Sequence, residues 1–287
     1  MQTGYLTVCN MGLFGDNAVS FWMEDLTGIL ERFPLLECPH KQDFFAIYSV
    51  EQAEGDIYID NQKIKLEPQK VIVVRPRCIS NININKAAKG KLICFTEDFF
   101  SLRYNNNILH HFSFLEREAL PYIRLNDTQI ARWETLQLFV DSEFKTKGKE
   151  TGKVLRSYLN ILLFELERLY NPLGTPKEHS LRQEKIQLFQ KLIDQNFKEK
   201  KLPSDYAAIL NVSPNYLNKM CKEETGLTAG DLIRKQIVLE AQRLLLYTTD
   251  TINEIADKLG FENVSYFVTF FKKQANVTPE QFRRTEK

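Results

Sequence analysis

Ala207-Ala208-Ile209-Leu210-Asn211, in the last hundred residues of this 287-residue chain, recurs as Ala256-Asp257-Lys258-Leu259-Gly260 at an offset of 49. Beyond a turn, Tyr216-Leu217-x-x-Met220-Cys221-Lys222-x-x-x-Gly226-Leu227-Thr228 recurs as Tyr266-Phe267-x-x-Phe270-Phe271-Lys272-x-x-x-Asn276-Val277-Thr278 at an offset of 50. The register continues through Asp231-Leu232-x-Arg234 and Gln281-Phe282-x-Arg284. A one-residue insertion in the second turn accounts for the change of offset, so two copies of one small unit are present.

A small residue, Ala207 or Ala256, lets two helices cross closely; four residues on, Asn211 or Gly260 tolerates the left-handed backbone of a tight turn. Ser213 and Pro214 then supply an N-cap and a first-turn proline for a second helix. Leu217, Met220 and Cys221 form its buried stripe, matched in the second copy by Phe267, Phe270 and Phe271. Asn215, Asn218, Lys219 and Lys222, and then Ser265, Tyr266, Thr269, Lys272 and Lys273, fall on the outer face. Hydrogen-bonding and cationic side chains of this kind read base edges and neutralise phosphates. Helix, tight turn, helix with a polar outward face is the helix-turn-helix arrangement, whose second helix enters the major groove. Between the copies, Asp231 to about Tyr247 reads as one helix about 25 Å long. With the flanking units added, the two second helices reach major-groove segments roughly 34 Å apart on one face of DNA.

Working back from the repeat, Ile186, Phe189, Ile193 and Phe197 mark one helical face after a capping-box start at Ser180 and Gln183. Residues 171–180, with Pro172, Gly174 and Pro176 and no periodicity, read as a linker between residues 1–170 and 181–287. Before the linker, Ile130, Trp133, Leu136, Val140 and Phe144 step at helical spacing, as do Leu155, Tyr158, Leu162, Leu166 and Leu169, with Lys147-Gly148-Lys149 between them. This predicts a helical hairpin over about 127–170. Its second helix is also apolar at Val154, Ile161, Leu163 and Phe164; either the preceding strands or a second subunit covers that surplus.

The first part reads as strands: Phe44–Val50, Asp56–Asp60 and Lys63–Leu66 as a hairpin about Asn61-Gln62, Val71–Arg75, Ile79–Ile84 and Lys91–Phe95. Short strands at this spacing predict a small antiparallel barrel or jelly roll. The fold class is therefore multidomain α+β, an antiparallel β-barrel with a helical hairpin followed by an all-α domain of two helix-turn-helix units joined by a long helix.

Five cysteines, at 9, 38, 78, 94 and 221, have no C-x-x-C pair, and the four histidines, at 40, 110, 111 and 179, have no H-x-H or H-E-x-x-H spacing. Neither a disulfide framework nor a metal centre is suggested. No apolar run approaches the length of a membrane span, and the first residues lack the pattern of a signal peptide, so a cytoplasmic location is expected.

At this point residues 181–287 resemble the tandem DNA-binding domain of the AraC/XylS family of bacterial transcription regulators. The resemblance is carried by Ala207, Ser213, Tyr216-Leu217, Lys222-Glu223-Glu224-Thr225-Gly226, Arg243, Ile252, Ile255-Ala256, Leu259-Gly260-Phe261, Ser265-Tyr266-Phe267, Phe270-Phe271-Lys272, Thr278-Pro279 and Arg283. Cys221 departs from the family's usual Phe, and Asn211 and Asn276 from its usual Gly. The resemblance implies base contacts by Asn215, Asn218, Lys219, Ser265, Tyr266 and Thr269, and phosphate contacts by Ser213, Lys222, Lys272 and Lys273, on adjacent half-sites of double-stranded DNA. It also implies a cupin-like N-terminal sensing domain, a homodimer through the 127–170 helices, a small-molecule effector, RNA polymerase as a partner, and no cofactor. Enzymatic cupins hold a metal with an H-x-H pair, a Glu and a later His. Here Pro39-His40-Lys41-Gln42 offers one histidine and Pro68–Asn85 none, so no catalytic or metal-binding residue is assigned. His40, Tyr48, Arg75 and Arg77 are polar residues near strands, and none is assigned to an effector. Two other functions remain open, a constitutive dimeric regulator without a ligand and a cupin enzyme fused to a DNA-binding domain.

The net charge of +1, from 38 Lys+Arg and 37 Asp+Glu, at first argues against nucleic acid. It hides an asymmetry: residues 181–287 hold 17 Lys+Arg against 14 Asp+Glu, and residues 1–180 hold 21 against 23. An excess of +3 is modest, so discrimination has to come from a few helix residues.

Overall fold

A computed structural model describes residues 7–15, 20–101, 109, 112–116, 119–146, 148–171 and 181–285. These form two compact units, one running from Thr7 to Asn171 and one from Leu181 to Thr285. The linker residues 172–180, Ser180 among them, and the side chain of Gln183 lie outside what is described.

The first unit contains ten strands: β1 (Thr7–Cys9), β2 (Phe21–Asp25), β3 (His40–Gln42), β4 (Phe45–Gln52), β5 (Gly55–Ile59), β6 (Gln62–Lys65), β7 (Lys70–Val74), β8 (Ile79–Ile84), β9 (Lys89–Phe95) and β10 (Tyr122–Arg124). Among the described residues four α-helices accompany them: α1 (Ile29–Arg32), α2 (Glu97–Ser101), α3 (Asp127–Thr146) and α4 (Thr151–Tyr170). The strands do not close into one barrel. They make two five-stranded sheets, ordered β1-β3-β8-β5-β6 and β10-β7-β4-β9-β2, antiparallel except for the parallel β1–β3 pair. Of the barrel and the jelly roll that the strand spacing predicts, two facing antiparallel sheets are compatible with the jelly roll, since alternation fixes which face of a strand is buried but not whether a sheet closes on itself. The β5–β6 hairpin also turns one residue earlier than its sequence suggests, since Gln62 pairs with Ile59 and Asp60 takes the left-handed backbone.

One core lies between the two sheets. Ile57, Ile82 and Ile84 of the first sheet pack with Ala46, Tyr48, Ile72, Val74 and Leu92 of the second. On its other face the second sheet meets the helical hairpin, where Ile47, Val71, Val73, Ile93 and Phe95 pack with Trp133, Val140, Leu155, Leu159, Leu162 and Leu163. The unit is thus three layers deep. This accounts for the unbroken apolar run of β7, Val71-Ile72-Val73-Val74, because a strand buried on both faces need not alternate. Trp133 Nε1 donates to Ser49 Oγ at 2.8 Å, and Ser49 Oγ donates to Gln137 Oε1 at 3.2 Å, pinning α3 to β4.

The first unit covers only part of the surplus apolar surface of α4. Leu163 is wholly buried against the sheet, whereas Ile161 and Phe164 remain 46% and 45% exposed, as do Leu138 and Phe139 of α3 at 66% and 51%.

A few polar side chains interrupt the inter-sheet core. Ser80 shares a face of β8 with Ile82 and Ile84 by alternation, and His40 stands opposite Ser80 in the ladder. His40 Nδ1–H donates to the Cys38 carbonyl at 2.9 Å, while Nε2 is buried without a partner. Burial lowers the imidazole pKa, keeping the ring neutral with Nε2 as an acceptor. Tyr48 is buried on the facing sheet. Arg75 donates to the carbonyls of Leu115 and Glu116, and Arg77 takes a left-handed backbone and donates its N–H to the Gln42 carbonyl at 2.6 Å.

Candidate nucleic-acid interface

The second unit is all helix: α5 (Leu181–Asn196), α6 (Pro203–Ile209), α7 (Pro214–Thr225), α8 (Ala229–Tyr247), α9 (Ile252–Lys258), α10 (Val264–Ala275) and α11 (Pro279–Thr285). Ile186, Phe189, Ile193 and Phe197 are buried as their spacing predicts, in one core with both copies of the repeat. The linking helix α8 starts two residues before its expected start, because Thr228 and Asp231 form a capping box around its first turn.

Both copies close their turns the same way. Val212 N–H donates to Ala207 O at 3.0 Å in the first, and Phe261 N–H to Ala256 O at 2.9 Å in the second. Asn211 and Gly260 stand at the left-handed corner with φ of 53° and 70°. Asn276, in place of a glycine after α10, also adopts the left-handed conformation that Asn tolerates, with φ 62°. Glu262 is the inserted residue, since Val212 and Phe261 correspond at the offset of 49 and the N-caps Ser213 and Asn263 at 50.

The buried stripes are as the pattern requires: Leu217, Met220 and Cys221 on α7, Phe267 and Phe271 on α10, with Phe270 half-buried. Cys221 fills its place as a wholly buried thiol whose pKa burial raises to about 11. Opposite these stripes, Asn215, Lys219 and Lys222 on α7 and Ser265, Tyr266, Thr269, Lys272 and Lys273 on α10 are exposed. Tyr266 is 65% exposed, with its ring against Phe261 at 5.8 Å between centroids. Ser213 is exposed, and its Oγ accepts from Tyr216 N–H at 3.1 Å, leaving the hydroxyl hydrogen to donate elsewhere. Thr269 Oγ1 donates to Ser265 O at 2.9 Å.

Asn218 differs from the rest. It is half-buried, and its Oδ1 accepts from Ala229 N–H at 3.1 Å, so only its amide hydrogens can face outward. The second copy has Val268 and Pro279 at these positions, and proline has no N–H to satisfy.

Composition does not reveal one neighbour of the interface. Glu223 on α7 lies 3.8 Å from Lys219 Nζ and 3.1 Å from Arg182 Nη1 of α5. The i,i+4 spacing of Lys219 and Glu223 was the available signal. Among the described residues no group of three or more His, Cys, Asp or Glu is placed to hold a metal ion, and no helix is long and apolar enough to cross a membrane.

A family model described as a helix-turn-helix domain matches residues 206–285. The bifunctional transcriptional activator and DNA repair enzyme AdaA of Bacillus subtilis is 35% identical over 102 residues, covering 36% of this chain and 48% of that protein. The chain therefore spans about half the length of that curated relative. The transcriptional activator RhaS of Klebsiella pneumoniae is 19% identical over 265 residues, covering 88% of this chain and 90% of that protein. Among solved structures, the C-terminal domain of AraT, a response regulator from Geobacillus stearothermophilus, is 37% identical with a TM-score of 0.35, covering 37% of this chain and 88% of that domain.

Proposed function

We propose that this chain, whose C-terminal unit is a helix-turn-helix domain of the AraC type, is a sequence-specific DNA-binding transcription regulator. The observation that carries the reading is the duplication. Two second helices, α7 and α10, joined through one 19-residue helix, turn the same register positions outward, 215, 216 and 219 in the first and 265, 266 and 269 in the second. Asn215, the amide hydrogens of Asn218, and Lys219 read base edges of one half-site; Ser265, Tyr266 and Thr269 read the next. Ser213, through its hydroxyl hydrogen, and Lys222, Lys272 and Lys273 bind phosphates.

The first unit senses and dimerises. The exposed Leu138, Phe139 and Ile161 on the outer side of the hairpin support a homodimer through α3 and α4. The buried, unpartnered His40 Nε2 supports a small-molecule effector that brings an O–H or N–H donor into the inter-sheet core. The protein works in the cytoplasm by presenting DNA to RNA polymerase, and does no chemistry of its own.

The test starts from a pool of random duplexes, from which the purified full chain enriches a two-part sequence. Lys219→Ala then weakens binding to the enriched duplex by about 1–3 kcal/mol, the worth of one base contact, while nonspecific binding at the same salt changes far less. Equal losses on both would sink the assignment.

A further inference from the structure

The segment between α5 and α6 lies directly against the turn of the second helix-turn-helix unit. A Cβ at Gly260 would sit 2.2 Å from the carbonyl oxygen of Lys198, so the two backbones meet with nothing between them. Lys201 closes the contact. Its Nζ donates to Gly260 O at 2.5 Å and to Lys198 O at 2.6 Å, and lies 5.2 Å from the ring centroid of Phe261. On one side the segment is tied to the first helix-turn-helix, where Tyr206 of α6 is wholly buried and donates its O–H to Lys200 O at 2.7 Å. On the other, Phe261 packs against Tyr266, Phe267 and Phe270 of α10 at 5.3–5.8 Å between centroids. A line of direct contacts thus runs from the first helix of one unit to the recognition helix of the other, apart from α8.

We propose that Lys201 is a positioning residue that sets the spacing between half-sites at which both recognition helices engage DNA. This rests on the DNA-binding reading given above. A single connecting helix resists rotation of the units about its own axis only through its packing, whereas a second tie, off that axis, opposes the rotation directly. Charge-assisted bonds to two carbonyls, with an aromatic ring over the ammonium, suit that task. The tolerance it removes matters, because one extra base pair between half-sites moves the second by about 3.4 Å along the duplex and about 35° around it.

The experiment uses the full chain and the enriched duplex, remade with its two parts one base pair closer and one farther apart. The wild type loses on the order of tenfold in affinity on either altered spacing, a cost of the size of a mismatched base pair. Lys201→Met reduces that penalty to about threefold or less and weakens binding at the native spacing, and Lys201→Arg, which keeps the charge and two donors, restores the wild-type penalty. Should Lys201→Met lose its helical circular dichroism, Lys201→Gln, with a neutral donor on a shorter stem, carries the same expectation. A Lys201→Met or Lys201→Gln variant that keeps the wild-type spacing penalty overturns the inference. So does uniform weakening on all three duplexes with the salt slope reduced by about one, which would make Lys201 a phosphate contact. Failure of the wild type to enrich any duplex overturns the DNA-binding reading, and this inference with it.

Discussion

Ala229 N–H is the first of α8, and no carbonyl of its own helix can reach it. It is buried, and Asn218 Oδ1 accepts from it at 3.1 Å. Asn218→Val copies the residue of the second repeat and strands that N–H, at a cost of about 1–3 kcal/mol. Ala229→Pro removes the donor at a position where proline is favoured, and leaves the half-buried Asn218 oxygen to reach water, at a cost below about 1 kcal/mol. The double variant recreates the Val268–Pro279 pair, in which nothing is left unsatisfied. It is expected to be more stable than the sum of the single losses by about 1–2 kcal/mol. Both tryptophans, Trp22 and Trp133, belong to the first unit, so their fluorescence reports that unit alone during thermal unfolding. The transition seen by helical circular dichroism shifts with the C-terminal variants, by about 4–8 °C in Tm for each kcal/mol in a unit of this size, while the fluorescence transition stays in place. Strictly additive losses would refute the pairing. The double variant also isolates the other face of Asn218: if its amide hydrogens read a base, affinity for the enriched duplex stays low even though stability returns.

Gly260→Ala combines a left-handed backbone with a 2.2 Å approach to Lys198 O, whereas Gly226→Ala, at φ 74°, meets nothing within 4 Å. The first is expected to cost at least about 1 kcal/mol more than the second in urea unfolding, and equal costs would remove the backbone contact from the account. Asp231 and Glu254 are held below the ordinary carboxylate range, chiefly by hydrogen bonds from Thr228 and Thr251 at their helix starts. Their contribution is therefore complete at neutral pH and is lost as pH falls from about 4 through the lower folded-state values. Asp231→Asn with Glu254→Gln should flatten that acid limb in the circular dichroism transition, and an unchanged limb would count against the caps. Leu138→Glu with Ile161→Glu is expected to turn a dimer into a monomer in sedimentation equilibrium without moving the fluorescence transition; a wild type already monomeric at micromolar concentration would end the idea.

Period was the most legible signal in this chain, and short elements the least. Strands β4 to β9, the hairpin of α3 and α4, and the buried stripes at Leu217, Met220, Cys221, Phe267 and Phe271 follow from spacing, because each repeats its pattern over several residues. β1, β3 and β10 have three residues each, too few to show a period. The left-handed corners at Asn211 and Gly260 were legible because few residue types tolerate them. The outward faces of α7 and α10 were legible as faces, but the inward turn of the Asn218 carboxamide was not, since its partner is a backbone N–H eleven residues away. Comparing the two copies position by position supplies the missing signal, because Asn218 with Ala229 becomes Val268 with Pro279. Lys201 left no such trace. Its acceptor on Gly260 is 59 residues distant, and at the offset of 49 the corresponding residue of the second copy is Asp250.

The ion pairs around Glu223 sharpen the meaning of the modest positive charge. Lys219 lies 3.8 Å from a carboxylate that also holds Arg182 at 3.1 Å, so two of the cations of the unit are partly answered within the protein. Both pairs are exposed, which limits each to about 0–1 kcal/mol. A phosphate alone offers Lys219 little more than Glu223 already does. A base edge, on the proposed reading, would offer about 1–3 kcal/mol. With Lys219 as the proposed base reader, Glu223 would weaken nonspecific binding more, in proportion, than specific binding, and a unit with an excess of only +3 would gain discrimination from a carboxylate on the same helix.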